Sequence, residues 1–451
     1  MKPLSPTDQL FLLLEKPHQA MHVGGLQLLT PPPDAGPDFV QVVAERLRQA
    51  VAAEPPFQQR LVKRFGLWHW DEDRQFDVEH HFRVRALPSP GRIRELLALV
   101  SQLHAAHLDR ARPLWEFYLI EGVECGRIAI YAKMHHAMVD GVAAMRMTHR
   151  SLSPDPEDRE MPAIWAMPRR RRTAREAAAP EGLTGLLGAL GAQLGSVPKV
   201  TLELGRLLRD SRRNPDAITA YQAPRCILNQ PITGARRFAA QSWDLARIRA
   251  VGKALGATVN DVVLAMCASA LRRYLAELDA LPDAPLISMI PMSLRQDDSD
   301  GGNQVGVILA SLATDREDPA ARLAAIKASV REAKARYARM NPTEILNYTA
   351  TLLAPAGLNL MTGVAPRWQS FNVVISNVPG PREPLYWNGA RLEGLYPVSI
   401  VCDGQALNIT LTSVGDHLEF GLIACRRTLP HMQRLLTYLE DGLADLEMLV
   451  Q

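Results

Sequence analysis

Two adjacent histidines, His135 and His136, precede an Asp-Gly pair, Asp140 and Gly141, in the stretch YAKMHHAMVDGVAAM. A neutral imidazole, with a reference pKa of about 6.5, suits a general base near neutral pH. Neighbouring side chains on a strand point to opposite faces. The two rings are therefore not expected to share a metal, and no metal is expected here. One ring should face a cavity and the other the interior. Asp140 can anchor the turn by pairing with an arginine, or orient a histidine. Gly141 permits a left-handed or closely packed backbone. Two buried core histidines beside a helix-capping aspartate would give the same pattern. The chain has no GxSxG, no GxxxxGK[ST] and no GxGxxG, so a hydrolase nucleophile, a P-loop and a dinucleotide fingerprint are not indicated.

The flanking segments place this group at a strand end. Ile128 to Met134 alternates as a strand does, and Val142 to Met147 has helical spacing, with Ala143, Ala144 and Met147 following Asp140. Upstream, Ser5-Pro-Thr-Asp8 opens a short helix. MHVGGLQLL reads as a strand with a bulge or close backbone approach at Gly24-Gly25. Residues 37–52 and 92–107 have helix spacing. Phe57 to Arg85 is strand-like, broken at Asp71-Glu-Asp73, and its pair His80-His81 lacks a following Asp-Gly and reads as surface or core. Farther on, Val259 to Leu278 is expected as an amphipathic helix, with Asn260 and Asp261 in its first turn, where capping accounts for both. Strands are expected at Leu286–Pro291, Val305–Leu312, Phe371–Ile375 (ending in the turn SNVPGP), Leu407–Thr412 and Leu418–Cys425. Arg316–Ala338 and His431–Leu449 read as helices.

Strands and helices alternate in both halves, so the fold class is α/β, of mixed α+β type. The domains are expected at 1–155, carrying the histidines, and at 226–451. A helical, basic crossover over 156–225 holds the arginines of 169–175 and a glycine-rich stretch. Either a solvated linker or contact with anionic headgroups or phosphates accounts for that basic cluster. The net charge of +3, from 51 basic and 48 acidic residues, gives no bias toward nucleic acid, and no nucleic-acid partner is expected. Five scattered cysteines without a CxxC pair fit a reducing cytoplasm. The uncharged, glycine-rich stretch Gly182 to Pro198 falls short of the roughly 20 apolar residues of a spanning helix. A soluble or peripheral protein is expected.

HHAMVDG is similar to the HHxxxDG signature of the CoA-dependent acyltransferases. LSPTDQLFLLLE with MHVGGL, LDRARPLWEFYLIEG, TVNDVVLA and SNVPGP resemble segments of the bacterial wax ester synthase/diacylglycerol acyltransferase family, from residue 4 to about residue 425. The resemblance implies two chloramphenicol-acetyltransferase-like domains with a substrate tunnel between them. It implies an O-acyltransferase that uses fatty acyl-CoA as co-substrate, with no bound cofactor, and a fatty alcohol or diacylglycerol as acceptor. His136 would be the general base and His135 its support. Asp140 would form a structural ion pair, with Arg295 the candidate partner, and Asn260 would face the tunnel near the substrate or oxyanion. Gly141, Ala144 and Met147 would border the substrate, with Leu352 to Met361 a second apolar wall. Peripheral contact with the inner membrane face or lipid inclusions would follow. A stand-alone condensation-type or other alcohol acyltransferase, with smaller or carrier-bound substrates, shares the base. A non-catalytic lipid-surface protein would not need it.

Overall fold

A computed structural model describes residues 2–139, 141–167, 218, 222–293, 305–341, 343–345, 347–353 and 369–450. Asp140, Arg295, the arginines of 169–175, the glycine-rich stretch and most of Leu352 to Met361 lie outside them.

Three sheets organise these residues. A small antiparallel sheet holds β1 (Lys2–Pro3), β3 (Gln59–Arg64) and β4 (Leu67–Glu72), in the order β1-β4-β3. The first large sheet contains β2 (His22–Thr30), β5 (Phe82–Ala86), β6 (Trp115–Val123), β7 (Arg127–His135), β12 (Tyr386–Trp387) and β13 (Ala390–Val398). Its order is β12-β13-β2-β7-β6-β5, antiparallel except between β5 and β6. The second contains β8 (Arg236–Asp244), β9 (Ile287–Ser293), β10 (Val305–Ser311), β11 (Val373–Val378), β14 (Leu407–Val414) and β15 (His417–Cys425), ordered β10-β9-β11-β14-β15-β8. The mixed α+β class is thus observed, as two six-stranded sheets.

The division expected at residue 226 does not partition these sheets. Residues 386–398 were expected in the second unit, but β13 pairs with β2 along its length and completes the first sheet. Hydrogen bonding explains the placement: without β13, one edge of β2 would carry unpaired backbone groups. β13 also approaches β15 so closely that a Cβ on Gly421 would sit 1.9 Å from the Pro397 carbonyl oxygen, so glycine is required there.

Helices fill the spaces between sheets. α1 (Pro6–Leu14) is capped by Ser5, whose hydroxyl accepts from the Asp8 amide, and it packs on the small sheet. α2 is Phe39–Gln49 and α3 is Ile93–Ala105. α3 shields the edge of β8, where the Phe238 amide donates to Ser101 Oγ at 2.9 Å. α4 (Gly141–Arg150) packs on the first sheet's core and approaches β11 of the second. The helix Val259–Glu277 buries every residue from Asp261 to Leu271 and is covered by the helices Pro319–Tyr337 and Arg434–Met448. It is therefore a core helix with apolar residues all round, not the expected amphipathic one.

Three local expectations are corrected. The break in Phe57–Arg85 lies at Phe65-Gly66, where φ values of 49° and 80° make a hairpin turn between β3 and β4. Asp71 and Glu72 remain in β4, and only Asp73 turns the chain, accepting from the Gln75 amide. Gly24-Gly25 carries no bulge, since β2 pairs with β7 in continuous register from His22 to Leu29. The close approach at Gly24 is present, because a Cβ there would lie 2.8 Å from the Ala132 carbonyl oxygen. β11 runs through Ser376, Asn377 and Val378, so the turn of SNVPGP begins only at Pro379.

Candidate active site

β7 ends at His135, and His136 opens the turn that leads to α4. The two rings have different surroundings, as the alternation along a strand requires. His135 is fully buried, and its Nδ1 accepts from the Ala137 amide at 3.1 Å. That bond leaves the ring proton on Nε2, which faces Glu15 Oε1 at 3.6 Å. His136 is half-buried. Its amide donates to the Met21 carbonyl at 2.8 Å, and its ring stacks on Phe11 of α1, centroid to centroid at 4.0 Å. One histidine is therefore locked by its neighbours, and the other lies beneath a helix.

Glu15, immediately after α1, gathers charge around His135. Arg110 Nε donates to Glu15 Oε2 at 2.8 Å, His107 Nδ1 lies 3.4 Å from Oε1, and the Met21 amide donates to Oε1. Burial would raise this carboxyl, but His135 and Arg110 outweigh it and hold the group down at about 2. Arg110 also donates to the Leu12 carbonyl, tying the end of α1 to the LDRARPLW segment.

Behind His135, the same face of β7 continues with Lys133 and Tyr131. Lys133 is fully buried and donates to the carbonyls of Leu103 and Ala106, at the end of α3, while Glu116 Oε2 lies 2.8 Å away. All three ammonium protons are thereby used. Burial would raise the Glu116 carboxyl, yet Lys133, Tyr118 and Arg83 hold it below the ordinary range. Tyr131 Oη bonds His104 Nδ1 at 2.7 Å, and His104 Nε2 bonds the Ser399 carbonyl. His22, opposite His135 in the β2–β7 register, bonds the His104 carbonyl through Nε2. Burial lowers the pKa of both His22 and His104, the latter to about 3, so both stay neutral.

The remaining expected residues fall into separate places. Gly141 begins α4 without a left-handed backbone, and the space its Cβ would occupy is open. The glycine is thus not imposed by φ, as the sequence suggested. Ala144 and Met147 are half-buried and pack on the first sheet's core. The cap of Val259–Glu277 is a box between Thr258 and Asp261. Asn260 takes no part in it and is half-buried. His81 is a core residue bonded to the Trp115 carbonyl, and His80 is half-buried beside Asp77.

Sequence reasoning did not single out Phe11, Glu15, Arg110 or Lys133. A signal existed for Lys133: it is a charge at an inward position of an alternating apolar strand.

This two-sheet α+β architecture defines a class of fold shared with proteins of known structure. The first condensation domain of the CDA synthetase superposes with a TM-score of 0.62 at 16% identity, over 100% of this chain and 96% of that one, a likeness of fold. The wax ester synthase/diacylglycerol acyltransferase from Marinobacter aquaeolei VT8 superposes with a TM-score of 0.83 at 53% identity over the whole of both chains. The O-acyltransferase WSD of Acinetobacter baylyi is 51% identical over 443 residues, 98% of this chain and 96% of that one. Residues 4–263 match the wax ester synthase/diacylglycerol acyltransferase catalytic domain, and residues 301–447 match the WS/DGAT C-terminal domain. The chain belongs to the wax ester synthase/diacylglycerol acyltransferase family.

Proposed function

We propose that this protein transfers a long-chain acyl group from acyl-CoA to the hydroxyl of a fatty alcohol or of diacylglycerol, with His136 as general base. The observation that carries this reading is the division of labour between the two rings. His135 is immobilised by Ala137 and Glu15, so the second imidazole sits on a fixed strand end. The His136 imidazole takes the acceptor's hydroxyl proton as the oxygen attacks the thioester carbonyl. The tetrahedral intermediate collapses, the C–S bond breaks, and the same histidine returns the proton to the CoA thiolate. Ester and free thiol form in equal amounts, with no acyl-enzyme. Removing a positioned base costs about 10²–10⁴-fold in rate.

In this reading Asp140 and Arg295 form an ion pair that fixes the turn after His136. Asn260 donates to substrate or oxyanion from the opposite wall. The tunnel passes between the two sheets, and Gly141, Ala144 and Met147 border the chain of the acceptor. The open space at Gly141 supports that placement. The protein acts in the cytoplasm, in peripheral contact with a membrane or lipid inclusion. Among the described residues, no single helix is long and apolar enough to cross a membrane.

The test incubates purified protein with palmitoyl-CoA and either hexadecanol or dioleoylglycerol and follows free thiol. Thiol release with at least one acceptor, abolished in a folded His136→Ala variant, is the expected result. No release with either acceptor, or an active variant, sinks the assignment.

A further inference from the structure

The small sheet turns its hairpin tip toward solvent. Phe65 there is fully exposed and Leu67 is 53% exposed, with Lys63 and Arg64 exposed beside them. The left-handed backbone at Phe65 and Gly66 fixes the tip, so the ring is held outward by the turn. α1 adds Leu10 and Leu13, the latter 66% exposed, three residues apart and so on one outer face. The two elements are joined: the Leu4 amide donates to the Trp68 carbonyl, and the Trp68 amide donates to Gln9 Oε1. Trp68 is half-buried between them, with Lys63 Nζ 5.8 Å over its ring. From Arg60 to Trp70 the chain contains no acidic residue.

We propose that the β3–β4 tip and the outer face of α1 form one docking surface for an anionic phospholipid layer. Phe65, Leu67, Leu10 and Leu13 enter the boundary between headgroups and acyl chains, and Lys63 and Arg64 pair with lipid phosphates. Trp68 lies at headgroup depth, where an amphipathic ring is favoured. The charge selects this occupant over a second copy of the chain, which would set the same cations against one another. The proposal deepens the peripheral reading above, on which it rests, by naming the surface. It also has a geometric consequence for the site. The inner face of α1 carries Phe11 against His136, so docking brings lipid within about one helix diameter, ~10 Å, of the base.

Flotation of the full-length protein with phosphatidylcholine vesicles, with and without phosphatidylglycerol, tests the surface. The wild type should float with the anionic vesicles and much less with the neutral ones. The Phe65→Ser/Leu67→Ser variant should lose about tenfold in bound fraction. The Lys63→Glu/Arg64→Glu variant should lose the anionic preference. Wild-type flotation by both variants overturns the proposal. Concentration-dependent dimerisation without vesicle binding also overturns it, in favour of a second copy. Thiol release with detergent-dispersed hexadecanol is read on the same samples and should match the wild type. An inactive wild type would count against the acyl-transfer reading, while the flotation result judges the surface independently.

Discussion

The two large sheets have the same number of strands and opposite fillings. Behind His135, the first sheet buries His22, His104, Tyr131 and Lys133 in hydrogen-bonded contacts, with Glu116 half-buried against Lys133. The second buries the helix Val259–Glu277 among leucines, valines and alanines. Burying polar groups is costly unless each is satisfied. The chain accepts that cost on the side where His135 is held by the Ala137 amide. On the other side it uses close packing, which stabilises without fixing any single group. A contrast of this kind predicts different consequences for the same depth of burial.

The largest expected effect is on rate alone. In His136→Ala, thiol release should fall by about 10²–10⁴-fold, and a melting curve unchanged within a few degrees would separate chemistry from folding. Lys133→Met comes next, because it takes the donor from two carbonyls at the end of α3 and removes the buried cation beside Glu116, which keeps only Tyr118 and Arg83. It should cost about 3–5 kcal/mol in denaturant titration and lower turnover per folded molecule. Unaltered turnover would reduce the network to a merely structural one. Leu271→Ala, in the apolar core, should cost about 2–5 kcal/mol with turnover per folded molecule retained. A loss of turnover there would erase the proposed contrast.

The smallest effect concerns a buried carboxyl in the second sheet. Glu419 is fully buried beside Ser242 and Tyr396, and burial pushes its carboxyl up to about 7 despite those hydrogen bonds. A raised carboxyl pKa means that the fold favours the neutral acid. Its contribution is present below the unfolded value of 4.5 and is lost as pH rises through about 7. Glu419→Gln should therefore stabilise the protein by about 1–3 kcal/mol at pH 8 and leave it unchanged at pH 4. Thermal melts at the two pH values check the sign.

Much of the frame was legible in the sequence because it is local. The Ser5 cap, the alternation before His135 and the strands expected at Leu407–Thr412 and Leu418–Cys425 each declare themselves within a few residues. The buried helix was misjudged on its exposure because its charged residues Arg272, Arg273 and Glu277 lie near one end, and they suggested a solvated face running the length of a helix that is buried from Asp261 to Leu271. Partners distant in sequence were the part that could not be read. Nothing near Glu15 announces Arg110, and nothing near β2 announces that residues 390–398 will pair with it. The family resemblance marked the segments carrying Phe11, Glu15 and Arg110, and only three-dimensional proximity showed why they accompany the histidines.

The strand returned from residues 390–398 constrains the order of events during synthesis. β2 leaves the ribosome early, but one of its edges has no partner until β13 emerges some 360 residues later. At translation rates of about 5–20 residues per second, that interval is on the order of tens of seconds. For that time an apolar strand edge stands open to any other nascent chain. A protein that delays closing its own first sheet should depend on chaperone occupancy during translation. A truncation ending before residue 390 should yield an aggregate, not a half-enzyme.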